Sequence, residues 1–270
     1  MSSNIITREL LDSVIAIAGA AGERILEIYN RDFSVTEKDD SSPLTEADMA
    51  AHDIIISGLK KLTPQLPVLS EESASIPFVE RSRWRQYWLV DPLDGTREFI
   101  KRNGEFTVNV ALIDGDHPVM GVIFVPVTGV TYYAAAGAGA FRRRADGATN
   151  DIHSRAWDGG RIIVAGSRSH RGKSLDALLV RLGDYEIISM GSSLKSCLVA
   201  EGKAHIYPRF GPTSEWDTAA AQCIVEEAGG CLTDLDRRPL RYNTKESLIN
   251  PSFFVCGDPT QDWTPYLSQH

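Results

Sequence analysis

Apolar residues near the start of the chain recur at helical spacing: Leu11, Val14, Ile15, Ala18, Ile25 and Ile28 share one face, with Glu9, Asp12, Glu23 and Glu27 among them. The pattern predicts an amphipathic helix over Arg8–Tyr29. Its acids exclude a secretory signal, which has a basic start and an uncharged core. A second helix is predicted over 45–62, with Ile55, Ile56, Leu59 and Leu62 on one face. It starts at Thr45-Glu46-Ala47-Asp48, a capping-box pattern with Asp where Glu or Gln is usual.

The period then changes. Pro67-Val68-Leu69 reads as a short strand opening onto Ser70-Glu71-Glu72. Tyr87-Trp88-Leu89-Val90 reads as a buried strand that stops at Asp91, since Pro92 has no amide for a ladder and Gly95 marks a turn. Alternation over 106–113, the Asp114-Gly115-Asp116 turn and the runs 119–125 and 130–135 predict an antiparallel meander. Residues 117–141 contain no Asp, Glu, Lys or Arg, a length that raises the question of a membrane span. Pro118, Pro126 and four glycines among Val, Ile and Tyr favour strands and turns instead. Two helices followed by strands make an α+β half.

Residues 142–160 are polar and show no apolar period, and a domain boundary is placed there, giving halves 1–150 and 151–270. Beyond it the predicted order is a strand over 161–165, a helix over 175–182 and a strand over Tyr185–Ser189. A further helix and short strand follow, then a long helix over 217–228 ending at Gly229-Gly230. This alternation suggests a smaller α/β half.

Composition changes the picture in two ways. With 28 Lys and Arg against 36 Asp and Glu, the net charge of −8 argues against nucleic acid or an anionic membrane as partner. Cys197, Cys223, Cys231 and Cys256 form no CxxC pair or metal-finger spacing, and they are expected to be reduced, mostly buried thiols of a cytosolic protein.

The acids themselves fall at telling places: Asp48 and Asp217 at helix starts, Glu71 and Glu72 after a strand, Asp91 and Asp94 in a turn after a buried strand. Each also has a plain role, as a helix cap, a turn residue or a solvated edge. His52, Trp84, Tyr87 and Trp88 read as packing residues. In Asp91-Pro92-Leu93-Asp94-Gly95-Thr96, however, a rigid turn aims two carboxylates at one spot, an arrangement that like charges resist unless a cation lies between them. All-oxygen donors suit Mg²⁺. Phosphatases that form an aspartyl-phosphate need a nucleophilic Asp where this chain has Pro92, which leaves a metal-activated water as the nucleophile.

Ser70-Glu71-Glu72, the run from Asp91 to Thr96, and Trp216-Asp217-Thr218-Ala219-Ala220 closing at Glu227-Ala228-Gly229-Gly230 together resemble the inositol-monophosphatase-like superfamily of Mg²⁺-dependent, lithium-sensitive phosphatases. Segments 90–107, 165–170, 191–195 and 207–213 resemble its branch that acts on 3'(2'),5'-bisphosphate nucleotides in bacterial sulfate assimilation, and the likeness covers nearly the whole chain. The resemblance implies a layered αβαβα sandwich of the inositol monophosphatase and sugar phosphatase type, with the site between the halves. It implies two or three Mg²⁺ ions on Glu71, Asp91, Asp94, Asp217 and the Leu93 carbonyl, with Li⁺ inhibitory. Asp48, Thr96 and Glu71 would be catalytic, the first two by orienting and deprotonating water; the Gly95 and Thr96 amides would meet the phosphate. Ser167, His170, Gly191, Lys195 and Arg209 would bind the nucleotide, Arg209 at a second phosphate.

The implied reaction removes the 3'-phosphate of adenosine 3',5'-bisphosphate to give AMP, with the sulfated analogue as a further substrate. Inositol monophosphatase activity, or a non-catalytic anion-binding regulator, are the alternatives. A cytoplasmic location is expected with no integral membrane segment; the resemblance leaves peripheral attachment to the inner membrane open, and the oligomeric state undetermined. Two departures, Ala221 where Gly is common and Arg97 where Lys is frequent, remove no ligand.

Overall fold

In a computed structural model, which describes residues 7–37, 43–166 and 172–267, the first predicted helix is α1 (Arg8–Tyr29). Its N-cap Thr7 accepts the Leu10 amide, and its apolar stripe from Leu10 to Ile28 is buried. A two-stranded ribbon of β1 (Val35–Glu37) and β2 (Pro43–Thr45) leads into α2 (Glu46–Leu62), which Thr45 caps as its sequence predicts. The pair α1 and α2 lies on one face of a seven-stranded sheet.

That sheet runs in the order β3 (Val68–Ser70), β4 (Gln86–Asp94), β5 (Thr107–Asp114), β6 (His117–Val125), β7 (Val130–Ala135), β8 (Gly139–Arg143) and β9 (Thr149–Ile152). The first pair is parallel and the rest are antiparallel. Short helices α3 (Phe78–Arg81) and α4 (Thr96–Ile100) flank β4.

The second half carries β10 (Ile162–Gly166), α5 (Lys173–Leu182), β11 (Tyr185–Ser189), α6 (Leu194–Ala200), β12 (Ile206–Arg209), α7 (Glu215–Glu227), β13 (Cys231–Asp234), β14 (Phe253–Cys256) and α8 (Thr264–Leu267). Its five-stranded sheet has the order β11-β10-β12-β14-β13, parallel on the β11 side and antiparallel beyond β12.

Three apolar cores hold the layers together. One joins α1 and α2 to the large sheet; a second sandwiches α6 and α7 between the two sheets; the third covers the outer face of the small sheet with α5 and α8. This is the expected αβαβα order. The central contact is close: a Cβ on Gly121 of β6 would lie 2.3 Å from the Ala220 carbonyl of α7, so only glycine fits there. Trp88 and Tyr87 are fully buried, the Trp88 indole donating to Thr63 Oγ1 at 2.8 Å, as packing residues do.

Three expectations need correction. The strand expected to stop at Asp91 continues to Asp94, because the register shifts between Asp91 and Asp94 and so steps the missing Pro92 amide out of the ladder. The polar stretch from Arg142 is not structureless: it holds the end of β8 and the whole of β9, an edge strand that buries only Ile152 and therefore has no apolar period. Cys231 and Cys256 are not thiols: they oppose each other on β13 and β14, 5.3 Å apart at Cα, and are joined as a disulfide. Cys197 and Cys223 are buried thiols, as expected. Among the described residues, no helix is long and apolar enough to cross a membrane.

Candidate active site

The C-terminal end of β4, an interior strand, carries Asp91, Leu93 and Asp94, and Asp94 there meets Ser193 of the second half. Asp91 is buried, and its Oδ1 accepts the Leu93 amide at 3.0 Å, which closes the turn over Pro92. Gly95 follows at φ +95°, a left-handed position where a Cβ would also approach the Glu105 carbonyl to 3.2 Å. The chain then enters α4 at Thr96.

Two helix starts supply further acids. Asp48 Oδ2 accepts the Thr45 amide at 2.8 Å and the Thr45 hydroxyl at 2.6 Å, while Oδ1 accepts Thr96 Oγ1 at 3.2 Å. Asp217 repeats this economy at α7, with Oδ2 accepting the Ser214 amide at 2.8 Å. A capping role does not exclude a role in the cleft: a carboxylate has two oxygens, and capping with one leaves the other for a further partner.

Asp91, Asp94 and Asp217 each bring a carboxylate oxygen within 4.8 Å of the others. Among the described residues, no Lys or Arg forms an ion pair with these three. Burial, and then repulsion from Glu71, Asp94 and Asp217, pushes the Asp91 carboxyl well above its usual range. Burial and the neighbouring Asp94 raise Asp217 to about 8. Glu71, in the single 3-10 turn after β3, adds to the field at both. Three crowded carboxylates, Asp91 buried and Asp94 and Asp217 partly so, with no Lys or Arg ion-paired to them among the described residues, fit a hard divalent cation.

The opposite wall comes from the second half. Lys195, buried on α6, donates from Nζ to the Ser192 carbonyl at 2.6 Å and lies 5.3 Å above the Tyr207 ring. Burial lowers it to about 8. Arg209, at the end of β12, donates to the Pro212 carbonyl at 3.2 Å. These two cations face Asp94, Glu98 and Asp217 across one cleft. The Gly191 amide donates to Glu105 Oε2 at 2.8 Å, and a Cβ there would lie 2.7 Å from the Glu105 carbonyl, so this glycine seats its turn against the first half. Ser167 and His170 lie outside the described residues.

His52 is half-buried, and its Nδ1 meets Ser70 Oγ at 2.9 Å, in keeping with a packing role. Sequence reasoning missed Ser193, whose amide and hydroxyl both donate to Asp94 Oδ2 at 2.7 Å. It also missed Thr107 and Asn109 behind it. Two polar residues at alternate positions of the apolar run Thr107-Val108-Asn109-Val110-Ala111-Leu112 were the available signal, because both must face the same side of the strand.

A layered sandwich with an acid cluster at a strand end, facing a cationic wall, defines a metal-dependent phosphatase class, and the comparisons agree. The inositol monophosphatase family model matches residues 7–263, and the chain belongs to that family. It is 48% identical over 248 residues to the 3'(2'),5'-bisphosphate nucleotidase CysQ of Escherichia coli (strain K12), covering 91% of this chain and 99% of the relative. The CysQ nucleotidase of Aggregatibacter actinomycetemcomitans is 46% identical over 265 residues, covering 96% of each chain. The crystal structure of CysQ from Bacteroides thetaiotaomicron superposes with a TM-score of 0.83 at 43% identity, over 94% of this chain and 99% of that one.

Proposed function

We infer that this protein is a 3'(2'),5'-bisphosphate nucleotidase that hydrolyses the 3'-phosphate of adenosine 3',5'-bisphosphate to AMP and phosphate. The observation that carries the reading is the pairing, in one cleft, of an acid cluster suited to cations with two basic side chains suited to a second phosphate. The near full-length likeness to the CysQ nucleotidases supports it.

In this reading Glu71, Asp91, Asp94, Asp217 and the Leu93 carbonyl hold two or three Mg²⁺ ions, and Li⁺ inhibits. Bound there, Mg²⁺ supplies Lewis-acid polarisation of the phosphoryl oxygens and activation of a water. The residues do the rest. Thr96 Oγ1, donating to Asp48 Oδ1, orients the water and passes its proton toward that carboxylate. Glu71 assists by orienting the same water. The Gly95 and Thr96 amides receive the scissile phosphate, and Gly95 leaves the backbone bare enough for close approach. Lys195 and Arg209 meet the second phosphate of the nucleotide, where a fixed guanidinium and a buried ammonium are worth more than at the surface.

The test is phosphate release from a panel of bisphosphate nucleotides, the sulfated nucleotide and inositol phosphates, with Mg²⁺ varied and Li⁺ added. The expected outcome is the highest kcat/KM on adenosine 3',5'-bisphosphate. A higher kcat/KM on an inositol phosphate would assign the chain to the monophosphatase branch, and release from no substrate would make it a binding module.

A further inference from the structure

Asp94 Oδ2 is saturated by protein donors: the Ser193 amide and hydroxyl at 2.7 Å each, and Asn109 Nδ2 at 3.4 Å. Only Oδ1 remains for a ligand. We propose that Ser193, held in place by Asn109, is a positioning residue that locks the Asp94 carboxylate toward the cation site, so that the C-terminal half sets the metal affinity of acids carried by the N-terminal half. The proposal rests on the reading of Asp94 as a metal ligand.

Proton counting fixes the direction of each bond. Thr107 Oγ1 donates to Asn109 Oδ1 at 2.9 Å, which turns the amide nitrogen of Asn109 toward Ser193 Oγ at 2.9 Å. With Asn109 donating into it, the Ser193 hydroxyl must send its single proton to an acceptor. The choices are Asp94 Oδ2 at 2.7 Å and the Asp217 carbonyl at 3.0 Å, and the shorter contact to a charged oxygen wins. Thr107 has spent its proton on Asn109, so the 2.7 Å contact with Ser192 Oγ has Ser192 as donor.

All of this lies in the interior: Thr107, Asn109 and Ser193 are at most 5% exposed. Ser192 adopts φ +51°, a left-handed conformation that a non-glycine residue holds only where its surroundings enforce it. Without these donors, the Asp94 carboxylate would be driven away from Asp91 and Asp217 by like-charge repulsion. The donors therefore hold it where a cation needs it before the cation arrives, as outer hydrogen bonds to metal-ligating carboxylates do elsewhere.

The experiment is direct Mn²⁺ titration of the full chain by electron paramagnetic resonance, with no substrate present. Ser193→Ala is expected to weaken Mn²⁺ binding roughly 10- to 100-fold, with an unchanged melting temperature in the metal-free protein and an unchanged KM at saturating Mn²⁺. Asn109→Ala should weaken it less, and the double variant should bind more weakly than Ser193→Ala alone but by less than the two single effects combined, because Asn109 supports Ser193 at 2.9 Å and also donates to Asp94 Oδ2 at the longer 3.4 Å. Asp94→Asn is the reference and should lose the site.

If Ser193→Ala binds Mn²⁺ within about twofold of the parent, closer than the decade expected of an outer-shell partner, while Asp94→Asn has lost it, the positioning role is wrong and the metal-site reading stands. If Asp94→Asn binds as the parent does, both fail. Should Ser193→Ala not fold, Asn109→Ala decides, and parental affinity in that variant overturns the proposal.

Discussion

The two walls of the cleft are built by opposite means. On the N-terminal wall, Asp91 and Asp94 owe their places to one tight turn at the end of a buried strand, and Asp48 to the first turn of a helix. On the C-terminal wall, Ser193 and Lys195 come from the start of α6 and Arg209 from the end of β12, and the turn before α6 is seated by bonds that cross to the other half, Gly191 to Glu105 and Ser193 to Asp94. Burial drives both walls toward neutrality, raising Asp91 and Asp217 and lowering Lys195 to about 8. A ligand that is cationic toward the first wall and anionic toward the second relieves both strains at once, and a metal-bound phosphate has that character.

The contrast can be broken at either wall. The largest effect is expected at the acids: Asp94→Asn should lower kcat by at least roughly a hundredfold. The fold should persist, and metal-free thermal unfolding should show no loss of stability, since one repelling charge has gone. Normal turnover in this variant would dismantle the site. Thr96→Ala should cost on the order of a hundredfold in kcat by removing the hydroxyl that feeds Asp48, with Mg²⁺ activation little changed; an unchanged kcat contradicts the water-activation role.

On the other wall, Arg209→Ala should raise KM for the bisphosphate nucleotide roughly tenfold, the worth of one charge-assisted contact, with less effect on inositol phosphate. Equal effects on both substrates would remove Arg209 from the second-phosphate subsite. The smallest effect concerns pH. The Lys195 ammonium is lowered from 10.5 to about 8, so it is charged below that pH and neutral above it. KM for the nucleotide should therefore rise a few-fold between about pH 7 and 9, and Lys195→Arg should flatten the rise, because arginine keeps its charge. A steady KM across that range would show that Lys195 does not attract the phosphate.

Legibility in the sequence follows the same division. Helix α1, the Thr45 cap of α2 and the meander from β5 to β7 could be read directly, since each depends on contacts within a few residues or on strict alternation. The convergence of Asp91 and Asp94 on one spot could be read from the turn for the same reason. What escaped depended on distant partners. The hairpin of β8 and β9 is polar because one of its strands is an edge, and β13 with β14 closes the small sheet across a loop of irregular sequence. The Cys231–Cys256 disulfide arises only because those strands pair in that register.

The sequence by itself determined which groups the protein can bring to a site: carboxylates at a strand end and at helix starts, a threonine after them, a backbone turn opened by glycine. Tertiary structure decided how the pieces are shared. Only the packed halves show that Asp48 and Asp217 each cap a helix with one oxygen while lying beside the same acid cluster, and that Asp94 accepts from a serine 99 positions away. The physical reason is reach: caps and turns are enforced by neighbours along the chain, whereas the orientation of a buried carboxylate is set by whichever donors the fold brings to its second oxygen.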